Sequence, residues 1–113
     1  MIELTSKQHF DGILSVPCFF MTPENPPVEY VLIERTGGAV ENFVKNATFA
    51  FQSISGNSLL RAIQINAQVI DAANTLPTVT NIFSAQENST YNYTDTNTKQ
   101  FRYQTVFDVT YME

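Results

Sequence analysis

The spacing of apolar positions changes several times along the chain, and each change marks an element. In "TSKQHFDGIL", Thr5 and Gln8 stand at capping-box spacing and Phe10, Ile13 and Leu14 share one helical face, which predicts a short N-terminal helix. "VPCFF" is a brief strand, ended by "TPENPP", whose prolines forbid helix and make a stiff extended connection. "EYVLIER" is apolar on both faces from Tyr30 to Ile33, the pattern of a strand covered on both sides. Thr36, Gly37 and Gly38 then end that strand and open a loop reaching to Asn46. In "ATFAFQSI", Ala47, Phe49 and Phe51 alternate with Thr48 and Gln52, as in a half-buried strand.

From Ser58 to Thr75 the period becomes helical. Leu59, Ala62, Ile63, Ile65, Val69, Ile70, Ala72 and Ala73 fill a wide apolar arc, with Arg61, Gln64, Gln68 and Asp71 opposite. Asn57 or Ser55 caps the first turn, and Leu76-Pro77 ends the helix. Asn66 falls inside the apolar arc, either as an internally hydrogen-bonded amide or as a ligand contact. "VTNIFSAQ" is the next strand. The last is the clearest: Phe101, Tyr103, Thr105, Phe107, Val109 and Tyr111 alternate against Arg102, Gln104, Asp108 and Thr110. Between these two, "NSTYNYTDTNTKQ" reads as a long polar loop, idle or functional. Its segment from Asn88 to Gln100 has too little apolar surface to order itself in a free subunit. The expected fold is therefore α+β, in the order α-β-β-β-α-β-β. Its mainly antiparallel sheet has about five strands, packed by one long helix and a short N-terminal one.

A chain of 113 residues is the size of one domain. Charged residues make up only 15%, so Asn, Gln, Ser and Thr must cover the surface. A net charge of -5 with six Lys and Arg gives no basic stripe for phosphate backbones, which argues against specific nucleic-acid binding. No apolar stretch approaches the ~20 residues of a membrane span, and the N-terminus lacks the features of a signal peptide, so a cytoplasmic setting is expected. The three sequons at Asn46, Asn88 and Asn92 are accordingly read as unmodified.

Reactive chemistry is sparse. Cys18, the single cysteine, reads as a small buried hydrophobe, and His9, the single histidine, has no sequence-placed nucleophile or carboxylate beside it. No His, Cys or acidic cluster has metal-ligand spacing, and "DTNT" at Asp95 lacks the glycine and glutamate of a calcium loop. "ERTGG" raises three readings: a phosphate cradle, a hairpin turn, or a place where another chain comes close. No G-x-x-x-x-G-K-[ST] pattern follows it, so the first fails. The expectation is a protein without catalysis, cofactor or metal.

"PPVEYVLIERTGG", "ATFAFQSIS", an Ala-rich helix and "YNYTDTNTKQFRYQTVFDVTY", in that order, span nearly the whole chain. This succession resembles the tail terminator (tail completion) proteins of long-tailed bacteriophages and prophages, often described as minor capsid or tail-joining proteins. The resemblance implies a small virion subunit that assembles with itself into a ring, usually a hexamer. Such a ring caps the tail tube on one face and meets the head connector or an adaptor protein on the other. It acts by binding, with DNA passing through and no membrane involved, and is assembled in the bacterial host cytoplasm.

On this reading the glycine pair is a turn and contact device, in which glycine permits positive φ and leaves no side chain in a neighbour's way. The interface candidates are Arg35, Thr36, Gly37 and Gly38 in the first loop, Tyr91, Tyr93, Asp95 and Lys99 in the second, and Arg102 at the strand edge. Two other classes remain open: a head completion or connector subunit of the same neck, and a small-ligand domain, which would need a concave pocket with convergent polar groups.

Overall fold

The computed structural model describes residues 1–41, 43–94 and 100–112. Its elements follow the expected order: α1 (Ile2–Asp11), β1 (Cys18–Phe19), β2 (Glu29–Glu41), β3 (Val44–Ser55), α2 (Leu59–Asn74), a 3-10 turn (Leu76–Thr78), β4 (Ile82–Asn92) and β5 (Phe101–Tyr111). The strands form one sheet in the order β1-β2-β3-β5-β4, antiparallel throughout except for the short parallel pairing of β1 with β2. The α+β class and the mainly antiparallel five-stranded sheet are as the sequence pattern predicts.

Strand alternation decides which face is covered. The odd positions of β3 and β5 point toward α2, and Phe49, Phe51, Phe107 and Val109 are buried with Ile65, Val69, Ala72 and Ala73 of the helix. α1 adds Phe10, whose ring lies 4.7 Å from that of Phe51. Among the described residues the opposite face carries no helix. There, cross-strand side-chain bonds lace polar residues together: Thr48 donates to Asp108 at 2.8 Å, Asn88 to Asp108 at 3.0 Å, and Thr110 to Asn46 at 3.0 Å. Near the start of β2, however, Tyr30 and Ile54 are buried on this same face, and Phe19 stands edge-on to Tyr30 at 6.1 Å. That explains why the Tyr30–Ile33 run is apolar on both sides.

Several local expectations are corrected. The segment from Thr36 to Asn46 is not a loop, because β2 continues to Glu41 and β3 begins at Val44, so the glycine pair lies inside a long hairpin. Neither glycine has positive φ. A β-bulge between Arg35 and Gly37 shifts the register instead, so that Gly37 opposes Thr48 and Gly38 opposes Ala47. The bulge returns Gly38 to the same face as Arg35, whose guanidinium folds over it and donates from Nε to the Gly37 carbonyl at 3.1 Å. A Cβ on Gly38 would sit 2.5 Å from the Asn46 carbonyl oxygen, whereas one on Gly37 meets nothing closer than 3.9 Å.

The helix ends also differ. α1 starts at Ile2 with no side-chain cap, leaving Ile13 and Leu14 beyond its end. The cap of α2 is Ser58, whose Oγ accepts from the Arg61 amide at 3.1 Å, while Ser55 Oγ holds the amides of Asn57 and Ser58 in the preceding turn. Ile63 is exposed despite its place in the apolar arc, as is Leu60. Asn66 is buried, and its side-chain oxygen has no hydrogen-bond partner among the described residues. The polar segment from Asn88 to Asn92 is not loop but the end of β4, paired with β5, and the Tyr93 amide continues the ladder to the Arg102 carbonyl at 2.9 Å.

Glu29 fastens three elements at one end of the sheet. Its carboxylate accepts from Arg61 Nε at 3.0 Å and Nη2 at 2.9 Å, from Ser55 Oγ at 3.0 Å and from Asn57 Nδ2 at 3.3 Å. The Arg61 fork is the main cause that holds this carboxyl at about 2, well below the usual range. A depressed carboxyl stabilises the fold above its ordinary range, and that contribution is lost as pH falls through about 2. Urea midpoints measured from pH 5 to pH 2 should therefore fall steeply in the native chain, and Glu29→Gln should start lower and flatten that acid limb. Gly38→Ala should cost about 1–3 kcal/mol in urea unfolding because the Asn46 backbone must shift, while Gly37→Ala should stay within about 1 kcal/mol of the native chain.

Candidate interaction surface

The expected site residues do not form one site. Arg35, Thr36, Gly37 and Gly38 lie on the β2 margin, opposite Phe49 to Ala47 of β3. Arg35 is tied down by a 3.7 Å ion pair with Glu3 of α1, and Thr36 Oγ1 donates to the Thr48 carbonyl at 3.4 Å. Tyr91 and Tyr93 lie on the opposite margin, toward the other end, where Tyr91 opposes Gln104. Their rings meet edge to face at 6.1 Å, both exposed, and the Tyr91 hydroxyl accepts from Gln104 Nε2. Arg102 reaches Gln52 at 3.2 Å and Gln100 at 2.9 Å, and its buried Nε has no partner among the described residues. Asp95 and Lys99 fall outside the described residues.

The stronger surface feature was not among those candidates. The molecule measures 45 × 25 × 23 Å, and only strands of eleven to thirteen residues can fill the long direction. At one end the register aligns Val40, Lys45, Tyr111 and Ile82. Around this level Val40 is 69% exposed, Phe43 in the β2–β3 turn is 88% exposed, and Phe83, Met112 and Met1 are exposed as well. Phe43 has a φ of 71°, unusual for a bulky residue. At the other end, marked by Glu29, Ser55 and Phe101, the exposed apolar side chains are Val28 and Leu60, with Tyr91 and Tyr93 close by. A sequence signal for Phe43 existed only in hindsight of the hairpin: an aromatic residue at a polar turn has no core to enter.

The reactive residues have structural duties. His9 Nε2 lies 3.0 Å from the Ala72 carbonyl and 2.8 Å from Thr75 Oγ1, pinning α1 to the last turn of α2. The Cys18 thiol is buried and donates to Asp11 Oδ1 at 2.9 Å, while Lys7 pairs with the other oxygen of Asp11 at 2.7 Å. Burial is the largest cause, and the Asp11 carboxylate the next, that push this thiol up to about 12. Among the described residues no group of three His, Cys, Asp or Glu is placed to hold a metal ion. A cavity of about 270 Å³ opens at the first end between the start of α1, the start of β4 and the end of β5. Among the described residues its lining includes Thr5, Thr80 and Asn81 but no carboxylate, imidazole or thiol.

No protein-family model matches the chain, and no curated protein matches it.

The thiol geometry has a direct test. At pH 8 the native protein should react with an aromatic disulfide reagent at least about a hundredfold more slowly than the urea-unfolded chain, because so little of Cys18 is thiolate when folded. Comparable rates in the two states would contradict the buried Asp11–Cys18 contact.

Proposed function

We propose that this protein is a ring-forming structural subunit of the neck of a long-tailed bacteriophage or prophage, acting as its tail terminator. The phage assignment rests on the family resemblance of the sequence, and the observation that supports a ring subunit is the presence of exposed apolar side chains at both ends of an elongated sheet. Val40, Phe43 and Met112 occupy one end, and Val28 and Leu60 the other, with Tyr91 and Tyr93 nearby. A growing tube presents a repeating end that accepts further tube subunits. Stopping it requires a protein that matches that end and offers a different surface beyond, and a closed ring of identical subunits has two unlike faces.

Other features support the same reading. The open face of the sheet is polar but holds few charges, so it can meet another protein with little desolvation cost. A net charge of -5 suits a lumen through which DNA passes without being trapped. The partners on this proposal are further copies of the chain, six in all by the family resemblance, the tail tube protein, and the head connector or an adaptor. Its place is in the virion, at the tail end nearest the head. Among the described residues, the 270 Å³ cavity is lined by no acid or base side chain other than Tyr111, and a second recess of about 490 Å³ is lined by Asn92, Tyr93, Thr94 and Arg102.

Deleting the gene from an otherwise intact phage or prophage should leave filled heads unattached to tails, with tubes that are overlong or lack a finished end, as seen by electron microscopy. Normal infectious particles from that strain would rule the proposal out. Binding to the purified tube protein, and not to the portal or its adaptor alone, separates a terminator from a connector subunit.

A further inference from the structure

Two features stand at the same end of the sheet but on opposite margins of it. Phe43 projects from the β2–β3 turn, and the cavity opens beside Ile82, lined also by Ile2, Thr80, Asn81, Tyr111 and Met112. The strand order β1-β2-β3-β5-β4 places the turn toward one side and Ile82 at the other. Within one chain the nearest lining strand is β5, whose Tyr111 pairs with Lys45 of β3, and Ile82 of β4 lies one strand further, at roughly 4.8 Å per strand. Phe43, at 88% exposure, does not enter it.

We propose that Phe43 of one copy seats in this cavity of a neighbouring copy, so that identical subunits join margin to margin. The proposal rests on the ring reading above and names the contact that would build the ring. Size permits it, since a benzene ring occupies dry cavities of about 150 Å³ and this one measures about 270 Å³. Area favours a lateral second copy over a partner held by the end alone. A margin 45 Å long and 23 Å deep offers about 1,000 Å², above the ~800 Å² that each partner gives to a standard interface. The 25 × 23 Å end offers less than about 600 Å².

The two halves of the contact are different patches, so it is heterologous, and repetition closes a ring if the rotation allows. β2 and β4 run in opposite directions, so a neighbour's β2 would approach β4 antiparallel. Register shifts between Ile82 and Ser84 and between Glu87 and Ser89 interrupt the β4 edge. Such an edge resists indiscriminate strand pairing, which leaves the aromatic seat to set the register.

Cross-linking tests this with the protein itself, because native Cys18 is buried and silent. Phe43→Cys and Thr80→Cys variants, mixed and mildly oxidised, should yield disulfide-linked dimers at least fivefold in excess of either variant alone. The double variant should give a ladder of linked copies that ends at the ring size. Phe43→Ser should weaken self-association at least tenfold in sedimentation, with circular dichroism and thermal midpoint unchanged. Oligomers that form without the mixed cross-link and ignore Phe43→Ser would overturn the seat while leaving the ring reading standing. A ladder that stops at two copies would keep the seat and remove the ring. A protein that stays monomeric at millimolar concentration without mixed cross-links would overturn the seat.

Discussion

Phe51 is the point on which the packing converges. Its ring meets that of Phe10 from α1 at 4.7 Å, Phe49 along its own strand at 6.0 Å and Phe107 from β5 at 6.3 Å. A sheet with one apolar face must bury it, and these four rings under α2 are how this sheet does so. Because three elements distant in sequence meet at one side chain, none of them can hold its place alone. α1 is further held by His9 at the end of α2 and by Ser15, whose amide and hydroxyl both donate to Gln68. The Glu29–Arg61 pair does the same at the opposite end of α2. The helix layer is thus fixed at both ends and filled between them, while the open face of the sheet is held by cross-strand polar bonds and, around Tyr30 and Ile54, by burial.

That division accounts for what the sequence could and could not convey. Where one face is buried and the other wet, alternation is strong, and β5 and most of β3 were legible for that reason. β4 was legible only at its start. Beyond Ala85 it lies at the edge of the sheet with little core above it, so its residues are polar on both faces and resemble a loop. The end of β2 was misread for a related reason: from Glu34 to Val40 its residues are exposed on both sides, and two glycines interrupt its pattern. In α2 the apolar arc was correct in its centre. Ile63 and Leu60 are apolar yet exposed, and Asn66 is polar yet buried, which no periodicity argument separates from the reverse.

The candidate surface was less legible than the fold. Arg35 and Thr36 drew attention as polar residues near a glycine pair, yet both are bonded within the subunit and serve the hairpin itself. Phe43 and Val40 were hidden because an apolar residue signals a core unless its neighbours in space are known. Tyr91 and Tyr93 were read correctly as exposed, but from a strand end and its continuation and not from a free loop. Surface chemistry of this kind depends on which strands lie at the margins, and only the strand order supplies that.

The bulge beside Thr36 sets the phase of everything beyond it. Before it, the odd residues Val31, Ile33 and Arg35 face the helices; after it, the even residues Gly38 and Val40 do. One extra backbone residue therefore decides which side chains the outer half of the hairpin shows to each side. Were the bulge straightened with the sequence unchanged, Val40 would turn to the polar face and Ala39 to the helix side, whereas removal of Thr36 itself would leave Gly38 opposite Ala47 and Val40 opposite Lys45. The hairpin carries its orientation as a count of residues, so a slip of one position beyond Arg35 would rewrite its surface more thoroughly than most point substitutions.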